Sequence, residues 1–278
     1  MSALIEVQSL HHTYPSGVEA LRGIDLFIDA GEFVAIMGQN GSGKTTFVKH
    51  LNGLLKPSKG KVYIRGQDSS KKRVSELARD VGYVFQNPDH QIFCETVEAE
   101  VSFGPNNLGL EEAQVVQRVQ EALAAVNLLE YRKASPKQLS KGQRQRLAVA
   151  SVLSMNPGIL IVDEPTTGQD YRDSIEMLDL VKRLNDSGCT ILFITHDMQL
   201  IARYARHVIV FHDGKILLHK STREAFSETE TLKQTFLSPP SITLLAQRFN
   251  TLYPDTVLTV EEMLDRTMDI VSGGRGNV

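Results

Sequence analysis

Short apolar runs separated by polar segments recur along the chain, and three of them end next to residues capable of chemistry. They are FVAIM at 33–37, ILIV at 159–162 and TILFIT at 190–195. Continuous apolar runs of this length predict strands buried on both faces, as in a parallel sheet. Residues 46–51 predict a helix soon after the first strand. The pattern therefore predicts an α/β fold.

A glycine-rich loop, GQNGSGKT at 38–45, joins the first strand to that helix. Glycines let the backbone aim N–H groups at phosphate oxygens, and the helix start adds partial positive charge. Lys44 is predicted to reach the β- and γ-phosphates, and Thr45 to bind Mg²⁺. The alternative, a chance match in a turn, is disfavoured by the flanking strand and helix. The predicted nucleotide contacts here are Gly38, Asn40, Gly41, Ser42, Gly43, Lys44, Thr45 and Thr46.

Two adjacent carboxylates, Asp163 and Glu164, follow the second strand. Ligands of open α/β sheets bind at the carboxyl ends of the strands. We predict that Asp163 holds Mg²⁺ and that Glu164 orients or deprotonates an attacking water. Solvated acids capping the turn at Pro165 are the alternative.

His196 follows the third strand at the same edge of the sheet. A lone histidine is usually a surface or core residue, but this position favours a γ-phosphate contact that positions water. The other histidines, including His11, His12 and His212, have no metal-ligand spacing and are expected to be structural.

With these sites in place, the chain resembles the ATPase subunits of ATP-binding cassette transporters. LSKGQ at 139–143 is similar to the family's signature motif LSGGQ, with Lys141 replacing a glycine. Further matching positions are Tyr14 for an adenine-stacking aromatic, Gln86 for the Q-loop glutamine, 168–170 for the D-loop and His196 for the switch histidine. The resemblance spans about residues 5–220. It implies a P-loop NTPase fold with a RecA-like core sheet, an antiparallel β subdomain and a helical subdomain.

The resemblance also implies ATP and Mg²⁺ as ligands and a head-to-tail pair of ATPase subunits. Ser140, Gly142 and Gln143 would form a second anion site at a helix start, facing the phosphate loop of the other subunit. Gln86 would sense the γ-phosphate and Mg²⁺, and Asp170 would lie near the nucleotide. Lys141 and Gln169 depart from the family pattern, in which glycine and leucine are common at these positions, and neither departure involves the phosphate lysine or the catalytic carboxylate.

The segment FQNPDHQIF at 85–93, with TV at 96–97 and SFG at 102–104, resembles the ATPases of energy-coupling factor transporters. These import vitamins or metal ions such as cobalt and nickel, and the segment faces their membrane component. The implied partners are a second ATPase subunit, identical or paralogous, a transmembrane T component and a substrate-binding S component. The alternatives are a conventional importer ATPase, a soluble ATP-driven switch, or a chain that binds ATP without turnover.

The predicted organisation is a nucleotide-binding domain over 1–220, with a helical subdomain at about 81–153, and a C-terminal helical extension over 221–278. The clearest helix is 111–126, and the extension has helical patterns at 223–226, 229–236, 242–249 and 261–268. Leu244, Leu245 and Phe249 form an apolar stripe that suits either core packing or a dimer contact. The glycine-rich tail at 272–276 is expected to be disordered.

Composition narrows the setting. The chain has 278 residues, of which 41% are hydrophobic, and a net charge of −3 that gives no sign of a nucleic-acid partner. Cys94 and Cys189 cannot supply a disulfide framework. Glu6 interrupts the apolar start, and no run reaches the roughly 20 apolar residues of a membrane helix. The expected location is peripheral, at the cytoplasmic face of the membrane, through a partner.

Overall fold

The structure is a computed structural model that describes residues 3–165 and 171–273. The strands in these ranges are β1 (Ile5–Thr13), β2 (Glu19–Ile28), β3 (Phe33–Gly38), β4 (Lys59–Ile64), β5 (Gln67–Asp68), β6 (Val81–Val84), β7 (Ile159–Asp163), β8 (Thr190–Ile194), β9 (His207–His212) and β10 (Lys215–Ser221). The helices are α1 (Lys44–Leu51), α2 (Val74–Leu77), α3 (Val97–Asn107), α4 (Glu112–Ala125), α5 (Lys141–Leu153), α6 (Tyr171–Asp186), α7 (Met198–Tyr204), α8 (Thr222–Ser227), α9 (Thr229–Lys233), α10 (Ser241–Arg248) and α11 (Val260–Gly273).

A six-stranded sheet in the order β10-β9-β3-β8-β7-β6 forms the centre of the fold. The strands from β9 to β6 are parallel to one another, and β10 pairs with β9 in the antiparallel direction. The predicted parallel sheet is therefore confirmed, and the three predicted strands β3, β7 and β8 are neighbours within it. Their carboxyl ends meet at one edge, which places the residues that follow them together.

Both faces of this sheet are covered, because alternate residues of each strand point to opposite sides. In β3, Phe33, Ala35 and Met37 belong to one buried cluster, which includes residues of α3 to α7. Val34 and Ile36 belong to the other cluster, which is shared with α1 and the second sheet. Burial on both faces explains why these strands read as continuous apolar runs.

The second sheet is antiparallel, with the order β2-β1-β4-β5. It packs over α1 on one face of the central sheet through the shared apolar cluster. The predicted antiparallel β region is thus present. Its β1–β2 hairpin projects towards the glycine-rich loop, since Gly43 approaches the Ala20 carbonyl.

Helices α3, α4 and α5, which follow β6 and precede β7 in the chain, pack against one another. Helix α4 matches the pattern predicted at 111–126. The side chains of Glu111 and Gln114 each bond the other's backbone and fix its start. Helix α5 begins at Lys141, because Ser140 and Gln143 make the same reciprocal cap.

The C-terminal segment forms α8 to α11, close to the predicted helices. Helix α9 ends at Lys233, before the predicted limit of 236. Phe236 has a φ of 55°, and the Leu237 N–H donates to the Leu232 carbonyl, a pattern that terminates helices. Ser272 and Gly273 end α11, whereas the sequence predicts disorder from 272 onwards. Residues 274–276 of that predicted tail lie outside the described ranges.

The predicted apolar stripe in α10 is not buried as a unit. Leu245 and Phe249 are exposed and Leu244 is half-buried, while the helix buries Thr243 and Ala246. Across residues 3–165 and 171–273, none of the helices combines the length and apolar composition needed to span a membrane.

Candidate nucleotide site

The loop between β3 and α1 has backbone positions that only glycine fits. Gly38 has a φ of 147°, and a Cβ on it would lie 2.3 Å from the Phe211 carbonyl oxygen. Gly43 precedes α1 with a φ of 107°, and its Cβ would lie 2.8 Å from the Ala20 carbonyl oxygen. Both glycines let the loop wrap tightly around the start of α1. The result is a cradle whose helix N-terminus favours an anion.

Lys44 lies folded over this cradle. Its Nζ donates hydrogen bonds of 2.8 Å to the carbonyl oxygens of Gly38 and Gln39. Burial lowers the pKa of Lys44, while the charges of Glu164 and Asp163 oppose that shift. The ammonium is therefore held at the loop and faces the two carboxylates across it.

A cleft of about 1050 Å³ opens above the loop. Of the predicted site residues, it brings together Tyr14, Gly38, Asn40, Gly41, Gly43, Lys44, Thr45, Thr46, Gln86, Asp163, Glu164 and His196. Ser42 lies behind the loop, buried, and its Oγ has no hydrogen-bond partner among the described residues. A glycine-lined cradle at a helix N-terminus is what a phosphate site requires, and Ser42 does not line the cleft.

The Glu164 carboxylate lies between the two other predicted catalytic side chains. Gln86 Nε2 donates to Glu164 Oε2 at 2.9 Å, and His196 Nδ1 is 3.5 Å from Glu164 Oε1. The Glu164 N–H donates to the Ile194 carbonyl at the end of β8, and its φ is 44°. A left-handed backbone at a non-glycine residue costs free energy, and such residues cluster at functional sites.

Asp163 is the last residue of β7 and is buried. Tyr83 Oη donates to Asp163 Oδ2 at 2.6 Å. Burial raises the pKa of Asp163, and the Tyr83 hydrogen bond opposes that shift. Burial and the neighbouring Asp163 charge also raise the pKa of Tyr83, so the phenol stays a donor. The Asp163 Oδ2 atom is therefore held in place by Tyr83 of β6.

Tyr14 stands at the other end of the cleft, at the β1–β2 turn. Its Oη lies 2.9 Å from Thr46 Oγ1 on α1. Val18 and Ala20 of the same hairpin line the cleft beside it. This end combines an aromatic face with apolar neighbours, which suits a planar base.

The signature residues Ser140, Gly142 and Gln143 do not line this cleft. Ser140 Oγ accepts from the Gln143 N–H at 3.2 Å, and Gln143 Oε1 accepts from the Ser140 N–H at 2.8 Å. Ser140 and Lys141 are exposed. The start of α5 is thus a second exposed helix N-terminus, and the exposed position of Lys141 accommodates its departure from the family pattern. Asp170, Gln169 and Gly168 of the predicted D-loop lie outside the described residues.

Several residues of the site carried no usable sequence signal. Tyr83, Val18, Ala20 and Leu237 reach it through strand register or through a distant segment, whereas Gln39 and Ile194 lie within the predicted loop and the third predicted strand. Leu237, from the turn after α9, joins the C-terminal extension to the cleft. Tyr83 faces Asp163 only because β6 pairs with β7 in a particular register, which the local sequence does not encode.

Residues 85–93 are tied to α5 by side-chain amides. Gln91 Nε2 donates to the Ala148 carbonyl at 2.8 Å, and Gln91 Oε1 accepts from the Phe85 N–H at 3.2 Å. Gln145 Nε2 donates to the Phe85 carbonyl at 3.3 Å. The segment that carries Gln86 is therefore connected to the helix that begins at Ser140.

Comparisons with known proteins find similar sequences and folds. Residues 21–167 match the family model described as ABC transporter. The chain is 43% identical over 280 residues to the energy-coupling factor transporter ATP-binding protein EcfA2 of Caldanaerobacter subterraneus subsp. tengcongensis, covering 97% of this chain and 98% of that protein. It is also 49% identical to an ABC transporter ATP-binding protein of the same organism, of which it spans only 46%.

Solved structures share the fold. CbiO1 of Clostridium perfringens, part of the ABC transporter complex CbiONQ, is 34% identical and superimposes with a TM-score of 0.77 over 91% of this chain and all of that one (100%). The ATP-binding cassette MJ0796, solved as a dimer in a post-hydrolysis state with ADP and phosphate, is 31% identical with a TM-score of 0.71 over 79% of this chain and 99% of that one.

Proposed function

This chain belongs to the ABC transporter family of ATP-binding subunits, and we propose that it is the ATP-hydrolysing motor subunit of an energy-coupling factor importer. The 43% identity to an energy-coupling factor ATP-binding protein supports the transporter class, and one observation carries the assignment of ATP hydrolysis. The Glu164 carboxylate is held between Gln86 and His196 in the cleft that also contains the glycine-rich loop and Lys44. A base, a polar sensor and a phosphate cradle are thus assembled in one site.

Each residue has a distinct task in hydrolysis. Loop N–H groups and Lys44 bind the phosphates, and Glu164 orients and deprotonates the attacking water. His196 contacts the γ-phosphate on the other side of Glu164.

Thr45, Asp163 and Gln86 would hold Mg²⁺, which neutralises phosphate charge when bound. Because Gln86 contacts Glu164 directly, movement of residues 85–93 changes the catalytic carboxylate's surroundings.

The active unit in this proposal is a head-to-tail pair, with each ATP between the loop of one subunit and Ser140, Gly142 and Gln143 of the other. The supporting observation is that these signature residues lie outside the cleft and start an exposed helix. Asp170 would complete the same interface. ATP then stabilises the closed pair by binding it preferentially, and hydrolysis releases it.

Mixing two inactive variants tests the pairing. Lys44→Ala removes the phosphate lysine, and Ser140→Arg blocks the signature site. When both subunits are copies of this chain, one of the two composite sites of a mixed pair keeps both intact halves, so random pairing restores about a quarter of wild-type turnover. A site formed within one subunit would give no recovery on mixing.

The membrane partner would dock beside the segment at 85–103. Phe93 and Phe103 are exposed there, with ring centroids 4.8 Å apart. A neighbouring groove of about 560 Å³ is lined by Ile92, Phe93, Pro136 and polar residues. Exposed aromatic side chains beside a groove are typical of a protein-docking surface. Since this segment is bonded to α5, docking there can move the signature helix relative to Glu164.

We assign the C-terminal extension at 221–278 to contacts between the two ATPase subunits. Leu245, Phe249, Leu264 and Met268 are exposed apolar residues on its last helices. A surface of this kind is stabilised by a partner. In this arrangement the nucleotide-binding domain over 1–220 and its helical subdomain at about 81–153 carry the chemistry, and the extension holds the pair together.

Affinity purification from detergent-solubilised membranes of the native host tests the transporter class. We expect one T component and a small substrate-binding S component to co-purify, and the captured complex to release phosphate from ATP. Co-purification of two conventional permease subunits would instead establish a conventional ABC importer. This alternative stays open because one relative, an ABC transporter ATP-binding protein, is matched by this chain over only 46% of its length. Purification without any membrane protein would contradict both, and also the peripheral location at the cytoplasmic face.

A further inference from the structure

Two buried histidines lie behind Tyr14. His12, on β1, is 7% exposed, and His50, on α1, is fully buried. Their ring centroids are 4.8 Å apart, and His50 Nε2 is 3.1 Å from His12 Nδ1. The pair joins the antiparallel sheet to the helix that follows the phosphate loop.

The hydrogen positions of this pair follow from its neighbours. His50 Nδ1 lies 2.8 Å from the Thr46 carbonyl, which can only accept, so Nδ1 carries the hydrogen. A neutral ring then has an acceptor at Nε2, and His12 Nδ1 donates to it at 3.1 Å while also lying 3.3 Å from the Lys56 carbonyl oxygen, which can only accept. Burial, the largest effect, lowers the pKa of His50 to about 4, so the ring is neutral near neutral pH. The bonds therefore run in one direction, from His12 to His50 to Thr46.

The two histidines connect to Tyr14 through Thr46. Thr46, whose carbonyl accepts from His50, has its Oγ1 2.9 Å from Tyr14 Oη. The His12 ring lies edge-on to the Tyr14 ring, with centroids 4.6 Å apart and an interplanar angle of 83°. Tyr14 is thus fixed at its hydroxyl by α1 and at its ring by β1.

With its hydrogen on Nδ1, the His12 ring leaves Nε2 as a buried acceptor, which costs free energy of folding. His12 Nε2 is buried and has no hydrogen-bond partner among the described residues. Buried polar atoms are nearly always paired, and an unpaired acceptor loses its hydration without compensation. An apolar side chain at position 12 would avoid this cost but could not donate to His50.

We propose that His12 and His50 are positioning residues for recognition of the nucleotide base. They hold the Tyr14 ring in the orientation on which the base stacks, so that binding does not have to order it. The inference rests on the proposed function, because it takes Tyr14 as the base platform. It predicts an effect on ligands that contain a base and none on a bare polyphosphate.

Calorimetric titration of the full chain tests this. ATP and inorganic tripolyphosphate are titrated with Mg²⁺ into proteins that all carry Glu164→Gln, so that ATP is not consumed. The further variants are Tyr14→Ala, His12→Leu and His50→Leu. The control is His11→Leu, because His11 is the adjacent, more exposed histidine and pairs with Glu19 instead.

We expect His12→Leu and His50→Leu to weaken ATP binding about 3- to 10-fold, and the tripolyphosphate affinity to stay unchanged. His11→Leu should leave both affinities unchanged. If His50→Leu does not fold, His12→Phe carries the same expectation, since it keeps a ring beside Tyr14 and removes the Nδ1 donor to His50.

Unchanged ATP affinity in the histidine variants, with weakened binding in Tyr14→Ala, would overturn the inference and leave the base platform standing. A parallel loss of both ligands would also overturn it, by indicating a general folding defect. Unchanged ATP affinity in Tyr14→Ala would overturn the base assignment, and with it this inference.

Discussion

Tyr83 Oη donates a 2.6 Å hydrogen bond to Asp163 Oδ2, across adjacent strands of the central sheet. Tyr83 is opposite Ile161, two residues before Asp163, so both side chains lie on the same face. The bond fixes one carboxylate oxygen and leaves the other for the cleft. A half-buried tyrosine outside the recognised motifs therefore orients the carboxylate assigned to Mg²⁺.

Tyr83→Phe should weaken divalent-metal binding, because the ring remains but Asp163 loses its orienting donor. We expect about a tenfold loss of Mn²⁺ affinity, measured by electron paramagnetic resonance with ATP bound in the Glu164→Gln background. Tyr63→Phe is the matched control, since Tyr63 is half-buried on the other sheet. Equal Mn²⁺ affinity in both variants would show that the Tyr83 bond does not orient the metal ligand.

Gly38→Ala should damage both loop and fold. The Cβ of an alanine at this position would lie 2.3 Å from the Phe211 carbonyl oxygen, so the backbone must shift. This shift should lower the free energy of unfolding by about 3 kcal/mol or more. Gly31→Ala is the control, because Gly31 also has a positive φ of 78° but open space around it, and should cost only about 1 kcal/mol. Urea unfolding compares them, and equal costs would contradict the steric account.

Gln91→Ala should loosen the segment that carries Gln86. It removes the bonds to the Ala148 carbonyl, the Ser151 hydroxyl and the Phe85 N–H, which should lower the unfolding free energy by about 1–3 kcal/mol. Gln120→Ala, on the exposed face of α4, should change it by less than about 0.5 kcal/mol. The link between residues 85–93 and α5 is refuted if the two variants unfold at the same urea concentration.

His50 makes stability depend on pH in a defined direction. Its folded pKa of about 4 lies below the ordinary 6.5, so unfolding allows proton uptake as pH falls below 6.5. The stability associated with neutral His50 is fully present above pH 6.5 and is lost as pH falls towards 4, by about 3 kcal/mol at most. The stability advantage of wild type over His50→Gln should therefore be smaller at pH 5 than at pH 7.5. An advantage that does not change with pH would contradict this.

Sequence alone could predict the parts of the site that local chemistry encodes. The glycine-rich loop, Asp163, Glu164 and His196 each follow an apolar run, and the carboxyl ends of adjacent parallel strands meet. It could not predict pairs formed by register or distant packing. Tyr83 and Asp163 are 80 residues apart, and Gln91 contacts Ala148 across 57. The hydrophobic pattern also could not predict helix ends that are set by backbone geometry, such as the end of α9 near the left-handed Phe236.

The most direct test of the account is ATP turnover by Glu164→Gln in the purified complex, with Glu130→Gln as an exposed control. The amide keeps the shape of the side chain but cannot accept a proton from water. We predict that steady-state phosphate release falls by about 10²-fold or more while ATP affinity is retained, and that Glu130→Gln matches wild type. Wild-type turnover by Glu164→Gln would contradict the assignment of Glu164 as the catalytic carboxylate held between Gln86 and His196.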